Sequence, residues 1–254
     1  MAVAVSMPGY AKIRVKGARG LVVETCKSEM EQILGNETLY AYAARQTDAR
    51  KFTGRATAYG ISLGYGCGNV VVRHSMRGGL LGKTGSDLFL PPTRGLRELV
   101  NSLRLRLTGV PTPEVIAFVS YPAGQIFRRS DVATREIPDS HDLSVVLREM
   151  QDTEHRDACL NASGKLLTQL ARAGAHHPDL NARNVLITWE TDGARAHVLD
   201  VDRIRFHLPG DPMVGRANLN RLQRSLRKLR ERESLTVSDS EIDSIASQPE
   251  VTAR

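Results

Sequence analysis

The chain of 254 residues has an apolar content of 41% and a net charge of +7. It contains no apolar run approaching the roughly 18 residues of a membrane-spanning helix, and no basic segment precedes its apolar start, so we expect neither a membrane span nor a signal peptide. The cysteines are few and far apart, at Cys26, Cys67 and Cys159. This usage predicts unpaired thiols and a cytoplasmic protein.

Up to about residue 137 the chain is predicted to consist mainly of strands. The predicted strands lie at 13–15, 21–23, 57–63, 70–73, 115–119 and 126–137. One helix is expected from about Ser28 to Arg45. A second is predicted from Thr93 to Leu107, where leucines recur at helical spacing.

After residue 137 the pattern becomes helical. Helices are predicted at 143–151, 160–172 and 216–232, with two strands between the last two helices. The segment 233–254 has little apolar content and is predicted to be disordered. We therefore predict an α+β, bilobal protein-kinase-like fold with a strand-rich N-lobe at 1–136 and a helical C-lobe at 137–232.

One polar motif indicates phosphoryl transfer. His177 and Asp179 are followed by Asn184, and Asp200 follows after a further apolar run. In kinases, an Asp at this first position deprotonates a hydroxyl, while the Asn and the second Asp hold magnesium ions that bridge the ATP phosphates. A zinc site at His176, His177 and Asp179 is disfavoured because further ligands at suitable spacing are missing.

Two glycine clusters, 54–60 and 64–69, compete as the loop that covers the phosphates. The second cluster runs directly into the strand 70–73 and leaves no room for an intervening strand. We therefore assign the Gly54 cluster to ATP and the second cluster to a turn. Arg73 ends the strand where a kinase usually carries its phosphate-binding lysine, and Glu98 on the next helix is its expected partner.

Four blocks resemble the lipopolysaccharide kinases, in particular the branch that phosphorylates 3-deoxy-D-manno-octulosonic acid (Kdo). They lie at 73–79, 177–184, 200–203 and 218–228, and the resemblance covers roughly Gly54 to Arg230. It implies ATP and Mg²⁺ as cofactors and a Kdo hydroxyl on a lipid A precursor as acceptor, at the cytoplasmic face of the inner membrane.

Transferred to this chain, the resemblance makes Asp179 the catalytic base and Asn184 and Asp200 the metal ligands. It makes Arg73 and Glu98 the pair that positions the phosphates. Ser75 and Arg183 depart from the usual family pattern.

Two other interpretations remain open from the sequence. One is a small-molecule kinase of the aminoglycoside or choline type, which shares the motif spacing; the other is a nucleotide-binding pseudokinase scaffold. A protein kinase is disfavoured because no Ala-Pro-Glu motif follows Asp202.

The net positive charge of the chain indicates what kind of partner it binds. Residues 233–254 carry five acidic residues and one basic residue, so the rest of the chain has a net charge of +11. Such a field favours anionic partners. Arg221, Arg224 and Arg227 on the helix 216–232 predict contact with an anionic membrane surface. We expect no nucleic acid, because no recognition motif accompanies the charge, and no obligate protein partner.

Overall fold

The computed structural model describes residues 7–53, 56–64, 66–76, 87–90, 93–150 and 152–245. The chain forms two compact units. The first contains Met1–Val100 and Glu114–Glu136, and the second contains Asn101–Pro113 and Ile137–Arg254. The predicted N-lobe, 1–136, thus differs from the first unit in one segment. Residues 101–113 belong to the second unit because Val198 N–H donates to Pro111 O, and Thr112 Oγ1 donates to Val198 O, each at 2.9 Å.

The described part of the first unit is built on an antiparallel sheet of seven strands in the order β1-β2-β6-β7-β5-β4-β3. The strands are β1 (Tyr10–Val15), β2 (Ala18–Val23), β3 (Arg50–Phe52), β4 (Ala58–Leu63), β5 (Gly68–His74), β6 (Val115–Ala123) and β7 (Phe127–Arg135). The short edge strand β3 was not expected from the sequence, since its three residues are all exposed and give no apolar pattern.

Two short helices cover this sheet, α1 (Lys27–Leu34) and α2 (Leu39–Arg45). The prediction of a single helix from Ser28 to Arg45 is therefore wrong. The chain breaks because Thr38 adopts an extended conformation and its side chain accepts a hydrogen bond from Ala41 N–H, which begins a new helix. Apolar residues of both helices join the buried strand residues in one core.

The prediction of three unpaired thiols is also wrong. Cys26, just before α1, forms a disulfide with Cys67 in the connection from β4 to β5, with a Cα–Cα distance of 5.4 Å. A hydrogen bond also joins α1 to the β4–β5 connection: the N–H of Gly64 donates to Glu29 Oε1 at 2.8 Å. Cys159 alone is a free thiol, and burial raises its pKa to about 11. The cysteine count consequently gives no information about the compartment.

The second unit is mainly helical. Its helices are α4 (Leu143–Glu149), α5 (Thr153–Arg172), α6 (Pro212–Glu233) and α7 (Asp239–Ser244), and α3 (Arg94–Leu107) contributes its residues from Asn101 onward. Its strands are β8 (His141–Asp142), β9 (Ala175–His176), β10 (Val185–Glu190), β11 (Gly193–Val198) and β12 (Arg205–Phe206). They pair antiparallel in the orders β11-β10-β8 and β12-β9. No helix among the described residues is long and apolar enough to cross a membrane.

The segment after α6 is ordered, so the prediction of disorder is wrong for residues 235–245. Ser238 and Glu241 form a capping box that begins α7. The buried guanidinium of Arg156 donates to Glu241 Oε1 at 2.8 Å and to Thr236 O at 2.6 Å. Four apolar side chains, too few to give a clear sequence pattern, all enter the core of the unit: Leu235, Val237, Ile242 and Ile245.

Replacing Ile242 tests whether α7 contributes to the stability of the second unit. Ile242 is fully buried, so Ile242→Ala should lower the free energy of unfolding by about 2–5 kcal/mol. Denaturant unfolding measures the loss. Thr236→Ala, at an exposed position of the same segment, is the control and should change stability by less than about 0.5 kcal/mol. Equal small effects would mean that this segment is not part of the cooperative unit.

Candidate functional site

The loop from β9 to β10 is organised around His177, which is completely buried. The main-chain N–H of His177 donates to Asn218 Oδ1 of α6 at 2.9 Å. On the ring, Nδ1 accepts from the N–H of Asp179 at 3.2 Å, and Nε2 lies 3.0 Å from Leu199 O. Because Nδ1 is an acceptor, the ring proton is on Nε2 and is donated to the Leu199 carbonyl.

This environment keeps His177 neutral. Burial lowers the pKa of its imidazole, and the hydrogen bond to Leu199 only partly opposes that effect. Both ring nitrogens are occupied by the main chain of the loop. The imidazole is therefore a positioning group for Asp179 and for the residue after Leu199.

Asn184 and Asp200 are brought together at the end of the β10–β11 hairpin. Leu199 N–H donates to Asn184 O at 2.9 Å, and the side-chain amide of Asn184 donates to Asp179 O at 3.1 Å. Asp200 has left-handed backbone angles, φ 53° and ψ 48°. Such a conformation is uncommon for a residue other than glycine and is concentrated at functional sites. Asp179, Asn184 and Asp200 thus form one polar group within the second unit.

The donor set of this group suits a partly protein-bound divalent ion. In the described part of the chain, no group of three or more His, Cys, Asp and Glu side chains could hold a metal. Asn184 and Asp200 offer an amide oxygen and a carboxylate, both oxygen ligands. Mg²⁺ is commonly bound by one or two carboxylates together with substrate phosphates. The pair therefore fits an ion that arrives with a nucleotide.

The carboxylate of Asp179 accepts hydrogen bonds from two arginines that the sequence did not place at this site; Arg221 was expected to contact an anionic membrane surface instead. Arg203 Nη1 donates to Asp179 Oδ2, and Arg221 Nη2 donates to Oδ1 at 3.3 Å. Arg203 is the last residue of the block 200–203, and Arg221 lies in the block 218–228 on α6. Both blocks belong to the four that carry the family resemblance. Motif membership was the available signal, but it did not indicate what either guanidinium contacts.

In the first unit, the structure brings Arg73 and Glu98 together in an ion pair. Arg73 lies near the end of β5, where it pairs with Ala58 of β4 and Val132 of β7. The approach of α3 depends on Gly95. A Cβ at this position would lie 2.5 Å from the Phe118 ring and 2.8 Å from Val132. Because residues three apart share a helix face, Gly95 brings Glu98 toward the sheet.

Next to Arg73, His74 pairs with a buried acid. Asp131 on β7 is fully buried, and its Oδ1 lies 2.6 Å from His74 Nδ1. The other oxygen accepts from the N–H of Tyr40 at the start of α2, at 2.9 Å. The hydrogen bond to Asp131 raises the pKa of His74, although burial opposes it. The pair links the strand that carries Arg73 to α2.

The predicted phosphate-covering residue, Gly54, lies outside the described residues. The chain around it connects β3 to β4. Gly66, in the connection from β4 to β5, and Gly68, the first residue of β5, have positive φ angles of 81° and 67°, in agreement with the turn predicted there.

Comparison with known proteins identifies the family. The model of the "Lipopolysaccharide kinase (Kdo/WaaP) family" matches residues 44–243. Among similar sequences are proteins named 3-deoxy-D-manno-octulosonic acid kinase from Pasteurella multocida, Vibrio parahaemolyticus and Stenotrophomonas maltophilia. Their identities are 31%, 31% and 32%, over 63%, 69% and 70% of this chain and 66%, 71% and 68% of theirs. The chain thus spans just under two thirds of the Pasteurella relative.

The fold has a solved counterpart. The structure titled "WaaP in complex with acyl carrier protein" has a TM-score of 0.53 and 17% identity, covering 87% of each chain. The likeness shows a protein-kinase-like α+β fold, which confirms the predicted fold class. The chain belongs to the lipopolysaccharide kinase (Kdo/WaaP) family, as the resemblance indicated.

The His74–Asp131 pair predicts a pH dependence of stability. The pKa of His74 is raised above the value near 6.5 of an unfolded chain. Its stabilisation is therefore fully present below about pH 6.5 and is lost as the pH rises through the folded pKa. His74→Gln should lower the free energy of unfolding more at about pH 6 than at about pH 9.

Denaturant unfolding at both pH values measures this difference. His141→Gln, at an exposed position, is the control and should leave the pH dependence unchanged. A loss in His74→Gln that is the same at both pH values would show that the charge of His74 does not stabilise the fold.

Proposed function

We propose that this protein is an ATP-dependent kinase that phosphorylates a hydroxyl of Kdo linked to a lipid A precursor, in lipopolysaccharide inner-core synthesis. The observation that carries the proposal is the family match over residues 44–243, together with the grouping of Asp179, Asn184 and Asp200. Relatives with 30–32% identity carry the name of this kinase.

Asp179 is the proposed catalytic base. Its carboxylate would accept the proton of the acceptor hydroxyl while that oxygen attacks the γ-phosphorus of ATP. The bond from the γ-phosphorus to the bridging oxygen breaks, and ADP leaves with the bond electrons. The hydrogen bond from the Asp179 N–H to His177 and the contact from Asn184 to Asp179 O fix the main chain of the base. A fixed base within reach of the acceptor is what general-base catalysis requires.

Asn184 and Asp200 are the proposed ligands of Mg²⁺. Mg²⁺, when bound with ATP, neutralises charge on the phosphate oxygens. The protein's own contribution is to hold the two ligands close together: the Leu199–Asn184 main-chain hydrogen bond and the contact of His177 with Leu199 O both act on this hairpin end.

Arg73 is the proposed contact for the α- and β-phosphates, with Glu98 orienting its guanidinium. A guanidinium binds two phosphate oxygens through its fork, where a lysine offers a point charge. Gly54 is proposed to belong to the loop whose main chain covers the phosphates, the role of the Gly-rich loop in protein kinases.

The lipid-linked acceptor implies a peripheral position on the cytoplasmic face of the inner membrane, and α6 supplies a basic surface for it. The structure changes which residues form that surface. Arg221 pairs with Asp179, and Arg227 pairs with Asp243 at 3.0 Å. The exposed stripe of α6 instead carries Arg216, Arg224 and Lys228. Exposed bases of this kind attract anionic headgroups.

Two assays separate the proposal from its alternatives. ATP consumption should be stimulated by Kdo-lipid A precursor and not by aminoglycosides or choline. Stimulation by the small amines alone would identify a small-molecule kinase. Nucleotide binding with no phosphorylated product from any of these acceptors would identify a pseudokinase scaffold.

Asp179→Asn should reduce turnover by about 10²–10⁴-fold, the usual effect of removing a general base. The affinity for ATP should stay close to normal, because this carboxylate acts on the acceptor and not on the nucleotide. Steady-state kinetics and calorimetry with ATP measure the two quantities. Asp192→Asn, at an exposed turn position between β10 and β11, is the matched control. Near-normal turnover in Asp179→Asn would exclude this residue as the base.

Asp200→Ala should weaken ATP binding in the presence of Mg²⁺ by at least about tenfold, since even a residue that only orients a metal ligand contributes that much. Binding measured without Mg²⁺ should change little. Calorimetry with both forms of the nucleotide, with Asp192→Ala as control, measures the difference. An unchanged dependence on Mg²⁺ would remove Asp200 from the nucleotide site.

A further inference from the structure

Two guanidiniums contact Asp179, and another anion could take the place of its carboxylate. Arg203 and Arg221 contact opposite oxygens of the carboxylate. The side chains are 37% exposed for Asp179, 55% for Arg203 and 39% for Arg221. Ion pairs of this exposure are individually weak, so a competing anion can replace one partner without a large loss.

Two guanidiniums contact the single carboxylate of Asp179, and Asp200 of the same polar group adds a second negative charge nearby. In the described part of the chain, Asp179 is the one carboxylate that contacts Arg203 or Arg221. The Nε of Arg221 is buried without a hydrogen-bond partner among the described residues. Burial lowers the pKa of the nearby His176, and His207, Arg205 and Arg221 lower it further. Guanidinium donors that exceed their acceptors, one of them buried without a partner, are the property of an anion site.

Other arginines of this region are engaged elsewhere. Arg183 pairs with Glu233 at 2.6 Å, and Arg227 pairs with Asp243. These carboxylates do not contact Arg203 or Arg221. Arg203 and Arg221 therefore differ from these other arginines, because their partner is Asp179, the proposed base.

We propose that Arg203 and Arg221 bind the carboxylate of the acceptor sugar acid, an inference that rests on the proposed function for the identity of the acceptor. Asp179 occupies their guanidiniums in the absence of that acceptor. When the sugar enters, the guanidiniums pair with its carboxylate, and the oxygens of Asp179 become available to the acceptor hydroxyl. Recognition of the acid and release of the base are then one event.

A sugar carboxylate fits this position better than a lipid phosphate. The acceptor hydroxyl must reach Asp179, so groups on the same sugar ring lie beside the base and its arginines. A phosphate on the lipid moiety is at least one sugar further away. The arrangement on Asp179 also shows that the two guanidiniums can take the two oxygens of one carboxylate.

The test compares a Kdo methyl glycoside with its methyl ester, which differ in the carboxylate charge. Equilibrium binding by calorimetry or NMR should favour the acid over the ester by about tenfold or more in the wild-type protein, the range of a hydrogen bond to a charged group. Arg203→Gln and Arg221→Gln should each reduce that preference toward one. Arg224→Gln, on the exposed face of α6, should retain it. Asp179→Asn should bind the acid more tightly and the ester unchanged, because the competing carboxylate is gone.

Kinetics add a readout that a structural role would not move. Both Gln variants should raise the KM for the lipid-linked acid, and Arg203→Lys should recover part of the loss. Thermal unfolding establishes that the variants are folded. An acid-to-ester preference that survives in both variants overturns the inference. A phosphorylated lipid A disaccharide without Kdo supplies a second test. If it competes with the sugar acid for the wild-type protein but not for the two variants, the arginines bind phosphate and the inference is overturned.

The outcomes also separate this inference from the proposed function. If the wild-type protein phosphorylates the lipid-linked acceptor but binds acid and ester equally, the kinase assignment stands and the arginine assignment fails. If it phosphorylates no Kdo acceptor yet prefers the acid through Arg203 and Arg221, the kinase assignment fails and the sugar-acid site stands.

Discussion

The geometry of the second unit's polar group depends on one buried imidazole. His177 receives the N–H of Asp179 on one ring nitrogen and reaches the Leu199 carbonyl with the other, while its main chain is held by Asn218 of α6. Asn218 also donates to Ala175 O at 2.9 Å, which fixes β9. A fully satisfied buried network of this kind specifies one arrangement, because any displacement leaves an unpaired polar group in the core. The loop that carries Asp179, the proposed base, and the strand end before Asp200 are thereby set by the same residue.

Strand β5 performs a comparable task in the first unit. Successive side chains of a strand point to opposite faces, so Arg73 and His74 serve different helices. Arg73 pairs with Glu98 of α3, and His74 holds Asp131, which in turn receives the first turn of α2. The ion pair on one face is thus tied to a strand whose other face is anchored by a buried carboxylate. Gly95 permits the helix on the first face to come close enough.

The sequence predicted the elements whose information is local. Leucine spacing predicted α3, apolar runs predicted most strands, and the offsets from His177 to Asn184 predicted residues that share one loop. Contacts between distant segments were not predictable in this way. The Cys26–Cys67 pairing depends on where α1 meets the β4–β5 turn, and the contact of Arg221 with Asp179 depends on the rotation of α6 about its axis. The apolar residues of the segment 235–245 are too sparse to give a periodic signal, although their side chains enter the core of the second unit.

The pairing of Asp179 with two arginines has a consequence for the use of nucleotide. A kinase whose base faces water can activate a water molecule in place of its acceptor and hydrolyse ATP without product. Here, each oxygen of Asp179 already accepts from a guanidinium, and a water molecule brings no negative charge to exchange for either of them. An acidic sugar brings that charge. With Asp179 as the proposed base, the same ion pairs would favour phosphate transfer to an acidic acceptor over hydrolysis of ATP by water.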